Sequence, residues 1–187
     1  MNRLFPPRSL ALPALLAALS ATAFPARADT SQVSAGGFIS AYREEVSVPP
    51  DVVWKAVLQL PKWWNGRHTY SGSAANLTLD AQAGGCWCER WGSGDAAASV
   101  QHGTVLMVMP GRVLRVQGGF GPLQELGAIG ILTIVTATQE GKHLLRMTYR
   151  VSGHPDAGFD KLAGPVDGVI GEQFRRLKKL AETGSAE

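Results

Sequence analysis

The run Gly84-Gly85-Cys86-Trp87-Cys88-Glu89-Arg90-Trp91 places two thiols, a carboxylate and a guanidinium on one short β-type segment, with His102 following after the turn material Gly92-Ser93-Gly94-Asp95. Strand alternation sends Cys86, Cys88 and Arg90 to one face and Trp87, Glu89 and Trp91 to the other. A hairpin turning near Gly94-Asp95 brings His102 opposite Cys88 or Glu89, and a one-residue slip decides which. Opposite Glu89, the histidine–carboxylate pair is able to hold a ligand or act as acid and base. Opposite Cys88, it makes three soft metal ligands of Cys86, Cys88 and His102. The plainer alternatives are a surface cross-strand pair and two buried structural thiols. Two tryptophans bury more apolar area than two cysteines and an arginine, so at ~25 cal/mol per Å² Trp87, Glu89 and Trp91 are expected to face inward. Glu89 then needs a partner such as His102 or an arginine to offset desolvation. Residues two apart on a regular strand lie ~6.5–7 Å apart, so a Cys86–Cys88 bridge is expected to be strained and reducible and not a structural staple.

Other chemical signatures are missing from the sequence. There is no phosphate-cradling glycine loop, dinucleotide fingerprint, nucleophile elbow or HExxH motif. His68, after Trp64, and His154, beside Pro155, read as solvated loop residues, and Trp63 and Trp64 as core anchors in front of a loop that borders a cavity mouth in one reading. No cofactor is implied.

The elements that position these residues follow from periodicity. Val52, Val53, Ala56, Val57 and Leu60 recur at helical spacing, with Pro50 suited to the first turn, Asp51 favourable at the positive end of the helix dipole, and Pro61 as the stop. Candidate strands are 38–48, 76–82, 86–91, 99–109, 113–119, 129–138 and 143–151, joined by short turns that make antiparallel neighbours. The last shows its two faces best, Leu145, Met147, Tyr149 and Val151 against Arg146, Thr148 and Arg150. Residues 129–135 are apolar on both faces, which suggests cover from another element or a second subunit, hence a homodimer. A closing helix, expected to open at Pro165, carries Val166, Val169, Ile170, Phe174, Leu177, Leu180 and Ala181 on one side with Gln173 among them. Gln173 is there either bonded to backbone in the core or a polar handle on a cavity. Gly164, Gly168 and Gly171 project to the opposite side and suggest a frayed first turn.

At the N-terminus Arg3 and Arg8 precede an apolar run from Leu10 to Phe24 and then Ala26-Arg27-Ala28. The three parts make a secretory leader over 1–28, cleaved after Ala28, and Pro13 and Pro25 interrupt a stretch already short for a membrane span. No cysteine follows that would take a lipid. The full chain has 18 Lys plus Arg and 15 Asp plus Glu. Removing Arg3, Arg8 and Arg27 leaves 18 − 3 = 15 basic residues, so the mature chain is formally neutral and its precursor's basic pI is no argument for nucleic acid. The remaining organisation is a flexible segment over 29–37, one domain over 38–183 and a loose tail over 184–187, with no membrane span after the leader and a periplasmic or secreted location.

Val48-Pro49-Pro50-Asp51-Val52-Val53-Trp54, Trp63-Trp64, Ala83-Gly84-Gly85 before an aromatic strand, Gly103-Thr104-Val105 running to Pro110, and Gln173 to Leu180 occur in an order that resembles the SRPBCC superfamily, the START-like or helix-grip fold. Within it the chain is most similar to the branch named for activators of a heat-shock chaperone ATPase, from which it departs by its Pro-Pro in place of a capping residue and by its leader. The resemblance implies an α+β fold: a curved antiparallel seven-strand sheet wrapped around a long C-terminal helix, with two short helices after the first strand. It also implies an apolar cavity between sheet and helix, with Glu89, His102, Tyr149 and Gln173 as polar groups and Trp87, Trp91, Met147 and Phe174 as wall. The expected function is binding of an apolar or amphipathic small molecule or lipid. The alternatives are a cyclase, dehydratase or hydrolase using Glu89 and His102, and a protein-interaction module.

Overall fold

The computed structural model describes residue 1 and residues 32–187. The leader over 1–28 lies outside the described residues apart from Met1, as do residues 29–31 of the segment that follows it.

Seven strands form one antiparallel sheet in the order β1-β7-β6-β5-β4-β3-β2. They are β1 (Gly37–Glu45), β2 (Leu77–Leu79), β3 (Cys86–Trp91), β4 (Ala98–Met109), β5 (Val113–Gln117), β6 (Ile129–Gln139) and β7 (Lys142–Ser152). Strands β2 to β7 are a meander whose longest connection, 118–128, joins β5 to β6, and β1 pairs with β7 from Gly37↔Ser152 to Glu45↔Leu144. Alternation fixes the faces: Leu145, Met147, Tyr149 and Val151 are buried while Arg146 and Arg150 are exposed. On β6, Leu132, Ile134 and Thr136 point into the core, and Ile131, Thr133 and Val135 are half-buried on the outer face.

Helix α1 (Pro50–Val57) starts with Pro50 in its first turn and buries Val53, Trp54, Ala56 and Val57. It ends three residues before the expected stop, because Pro61 sits in the first turn of a separate α2 (Leu60–Trp63), where its missing N–H costs nothing. Helix α3 (Pro122–Glu125) is a single turn between β5 and β6.

Helix α4 (Phe159–Thr183) opens six residues before the expected start, after the left-handed Gly158, and carries Pro165 inside. Ile170, Phe174, Leu177, Leu180 and Ala181 are buried, whereas Val166 and Val169 are only half-buried. The glycine stripe is not a frayed turn. Open space surrounds Gly164 and Gly168, but a Cβ on Gly171 would meet the Tyr42 hydroxyl at 2.6 Å. Tyr42 stacks on Phe174 at 5.4 Å and donates to the Asp167 carbonyl at 2.9 Å, so Gly171 is where β1 and α4 press together. Gly184 caps α4 in a left-handed conformation, Ala186 is buried, and Arg176 Nη2 donates to Glu187 Oε1 at 2.8 Å.

The sheet, its concave face filled by α4 and an aromatic cluster, is a helix-grip fold. Trp63 and Trp87 are fully buried, and at ~150–250 Å² each they contribute about 4–6 kcal/mol apiece as an upper bound. Among the described residues no helix is long and apolar enough to cross a membrane.

Candidate functional site

Glu89 on β3 faces inward with no exposed surface. Its carboxylate accepts the Ser71 N–H at 2.6 Å, the Tyr70 N–H at 3.1 Å and His102 Nε2–H at 2.8 Å. Burial alone pushes this carboxyl up, but the hydrogen bonds from Ser71, His102 and Tyr70 outweigh burial and hold it below the usual glutamate value. It is therefore a charged group carried into the fold with its acceptors filled.

His102 reaches Glu89 by neither expected register. Gln101 pairs with Cys88, Val100 with Glu89 and Gly103 with Trp87, leaving His102 as the extra residue of a β-bulge. The bulge turns its ring to the side occupied by Glu89, as bulges re-aim side chains. The same irregularity accompanies a Cys86–Cys88 disulfide whose Cα atoms are 5.4 Å apart, closer than the ~6.5–7 Å of a regular strand. With both sulfurs bonded to each other, the metal set Cys86, Cys88 and His102 is excluded in this state. Among the described residues no cluster of three or more His, Cys, Asp or Glu is arranged to hold a metal.

A second carboxylate-backed histidine was not legible in the sequence. His68, read as solvated, is half-buried and donates from Nε2 to Glu172 Oε2 at 2.9 Å. Asn65 Nδ2 donates to the other oxygen of Glu172, and Arg67 lies 3.9 Å away. The Asn65 hydrogen bond, helped by His68 and Arg67 and opposed by burial, holds Glu172 below the usual value. Beside it Gln173 Oε1 accepts the Asn65 N–H at 2.8 Å, and Arg176 Nε donates to the Trp63 carbonyl at 2.9 Å. These four hydrogen bonds fasten α2 and the loop after it to α4.

That loop, α3 and the first half of α4 enclose a partly open cavity of about 450 Å³. Trp64, Phe120, Pro122, Val166, Val169 and Ile170 form its apolar wall, and His68, Thr69, Tyr70, His102 and Glu125 its polar part. The volume is in the range of small-molecule sites. Tyr70 borders it three ways: its N–H is on Glu89, its ring lies 5.8 Å from that of His102, and its hydroxyl donates to the Gly121 carbonyl at 3.3 Å.

Of the residues expected to bind ligand, only His102 lines this cavity, with Glu89 behind it. Trp87 lies one layer beneath, edge-on to Trp64 at 5.0 Å. Trp91 is half-buried in a separate surface cleft with Arg90. Met147, Phe174 and Gln173 belong to the packed interior, where side chains fill the space that was expected to be hollow. Tyr149 is a splint: its hydroxyl donates to the Gly118 carbonyl at 2.8 Å and accepts the Phe120 N–H at 3.0 Å, and a Cβ on Gly130 would strike it at 2.3 Å. The cavity is thus displaced toward the first turns of α4, where Val166 and Val169 lose their cover.

No family model matches the chain, and no curated protein matches its sequence. Solved structures do. Protein MLL2253 from Mesorhizobium loti is 19% identical over 76% of this chain and 95% of its own, with a TM-score of 0.52. DynU16, a protein of the dynemicin biosynthetic locus, is 20% identical with a TM-score of 0.50, over 79% of this chain and 48% of its own. These likenesses establish the helix-grip fold. The Aha1 dimer from Colwellia psychrerythraea (17% identity, 78% of this chain and 97% of its own, TM-score 0.46) is too distant to place the chain in the chaperone-activator branch.

Proposed function

We propose that this is an exported helix-grip protein that binds an amphipathic small molecule. The observation that carries the reading is the 450 Å³ cavity, in which a one-sided apolar wall from Trp64, Phe120, Val166, Val169 and Ile170 meets a polar end made by His68, Tyr70 and His102. An apolar body gains from burial against the wall, and a polar head finds hydrogen-bonding groups already held by their own partners, the arrangement small-molecule sites use for orientation. Export rests on the leader over 1–28. Binding of a lipid-like or other small molecule is favoured over a protein-interaction role because the chemistry is recessed in a cavity.

Native mass spectrometry of the mature protein should show a co-purifying small molecule or take up added fatty acid. Val169 is half-buried on the cavity wall, so Val169→Trp should fill the space and lower affinity at least ~10-fold while the melting temperature changes little. Equal affinity in wild type and Val169→Trp would remove the cavity as the binding site.

A further inference from the structure

We propose, building on the binding reading, that the cavity hydrolyses a carboxylic ester with an apolar acyl chain, using His102 as general base. Three features meet at this residue. First, Nε2 is hydrogen-bonded to Glu89 at 2.8 Å, so in the neutral ring Nδ1 is the nitrogen left to accept a proton, and it has no protein partner among the described residues. Second, His102 forms part of the wall of two different spaces. One is the apolar cavity; the other is a polar cleft of about 410 Å³ bounded by Gln101, Thr104, Gln117 and Gln124. At the cleft the β4–β5 ladder ends at Thr104↔Gln117, Gly118 packs closely on the His102 carbonyl, and Gln124 Nε2 donates to the Gln101 carbonyl at 2.8 Å. A histidine that only oriented an apolar ligand would need no polar space beside it; one that draws on water does. Third, His68, backed by Glu172, lines the same cavity from the loop after α2.

The step balances with water as the co-reactant. His102 Nδ1 takes a proton from water as the water oxygen bonds to the ester carbonyl carbon, and the carbonyl π pair moves to oxygen. His68, when it carries its second proton, donates to that oxygen. The tetrahedral intermediate collapses as its hydroxyl, formed from the carbonyl oxygen, returns its proton to His68 and the C=O bond re-forms with loss of the alkoxide, which takes the proton held by His102, giving acid and alcohol. Glu89 touches no substrate and is a positioning residue.

The test is turnover of p-nitrophenyl butyrate, octanoate and laurate by the purified protein, with binding of laurate measured in parallel. Wild type should turn over the longer esters faster, and His102→Gln should lower kcat about 100-fold or more while still binding laurate. Glu89→Gln should lower kcat with KM changed less than about twofold. His154→Gln, at an exposed histidine outside the site, should match wild type. Where His102→Gln does not fold by circular dichroism, His102→Asn and His68→Gln take its place, with kcat expected to fall in both. Absent wild-type turnover, or a rate unchanged in the His102 variants, overturns hydrolysis. If laurate still binds in that case, the carrier reading stands; if it does not, both fall.

Discussion

Glu89 is a buried carboxylate whose three acceptor contacts, to Ser71, Tyr70 and His102, are all hydrogen-bonded, and this makes it both a stability element and a pH-sensitive one. Its proton affinity is lower in the fold than in the unfolded chain, so the unfolded state takes up more protons as the solution turns acid. The stabilisation it provides is complete above roughly pH 4.3 and is lost as pH falls through the folded-state value. Urea unfolding followed downward from neutral pH should therefore show wild type losing stability more steeply in acid than Glu89→Gln; parallel curves would mean the carboxyl is not shifted. Much of this residue's role was legible, because its place between two tryptophans on a strand forces it inward. His102 was legible as a candidate but not in position, since one inserted residue changes its facing and no periodicity reveals a bulge. His68 carried no local signal at all. Its significance comes from Glu172, more than a hundred residues away, and only the docking of the loop on α4 brings them together.

Helix α4 shows how far element-level patterning goes. The apolar stripe from Ile170 to Ala181 was correct in face, but the start was misplaced, because Pro165 is a favoured first-turn residue and the left-handed Gly158 gives no stronger signal in sequence. The same helix contains three glycines that a sequence cannot separate. Gly164 and Gly168 stand in open space, so alanine there should stabilise the protein by about 0.5–1 kcal/mol through helix propensity. Gly171 lies under the Tyr42 hydroxyl, and there the ~1 kcal/mol propensity gain should be exceeded by a clash of roughly 1–3 kcal/mol that drives Tyr42 off the Asp167 carbonyl. Thermal unfolding of the three alanine variants checks the contrast; a stabilised Gly171→Ala would show that β1 does not bear on α4. Strand β3 runs from Cys86 to Trp91 as read from the sequence, since Gly84-Gly85 and Gly92 mark both its ends.

For the whole molecule, the mature chain should begin at Asp29. Intact mass of protein recovered from the cell envelope checks this, and a full-length mass confined to the cytoplasm would end the export reading. Where the fold keeps its space follows from density: side chains fill most of the region between sheet and helix, and the cavity lies where β5 gives out and the chain leaves the sheet through Gly118 and Phe120. Tyr149 holds that exit at its root. Because one phenol anchors the departing chain to the sheet, the loop beyond it is free to change in length and composition without disturbing strand register. Gly130 and Tyr149 form a mutually dependent pair in which neither is replaced alone, whereas the exposed Pro122, Gln124, Glu125 and Leu126 of the loop are open to variation. A lineage built on this scaffold would diversify its ligands by editing that loop and leave the splint untouched.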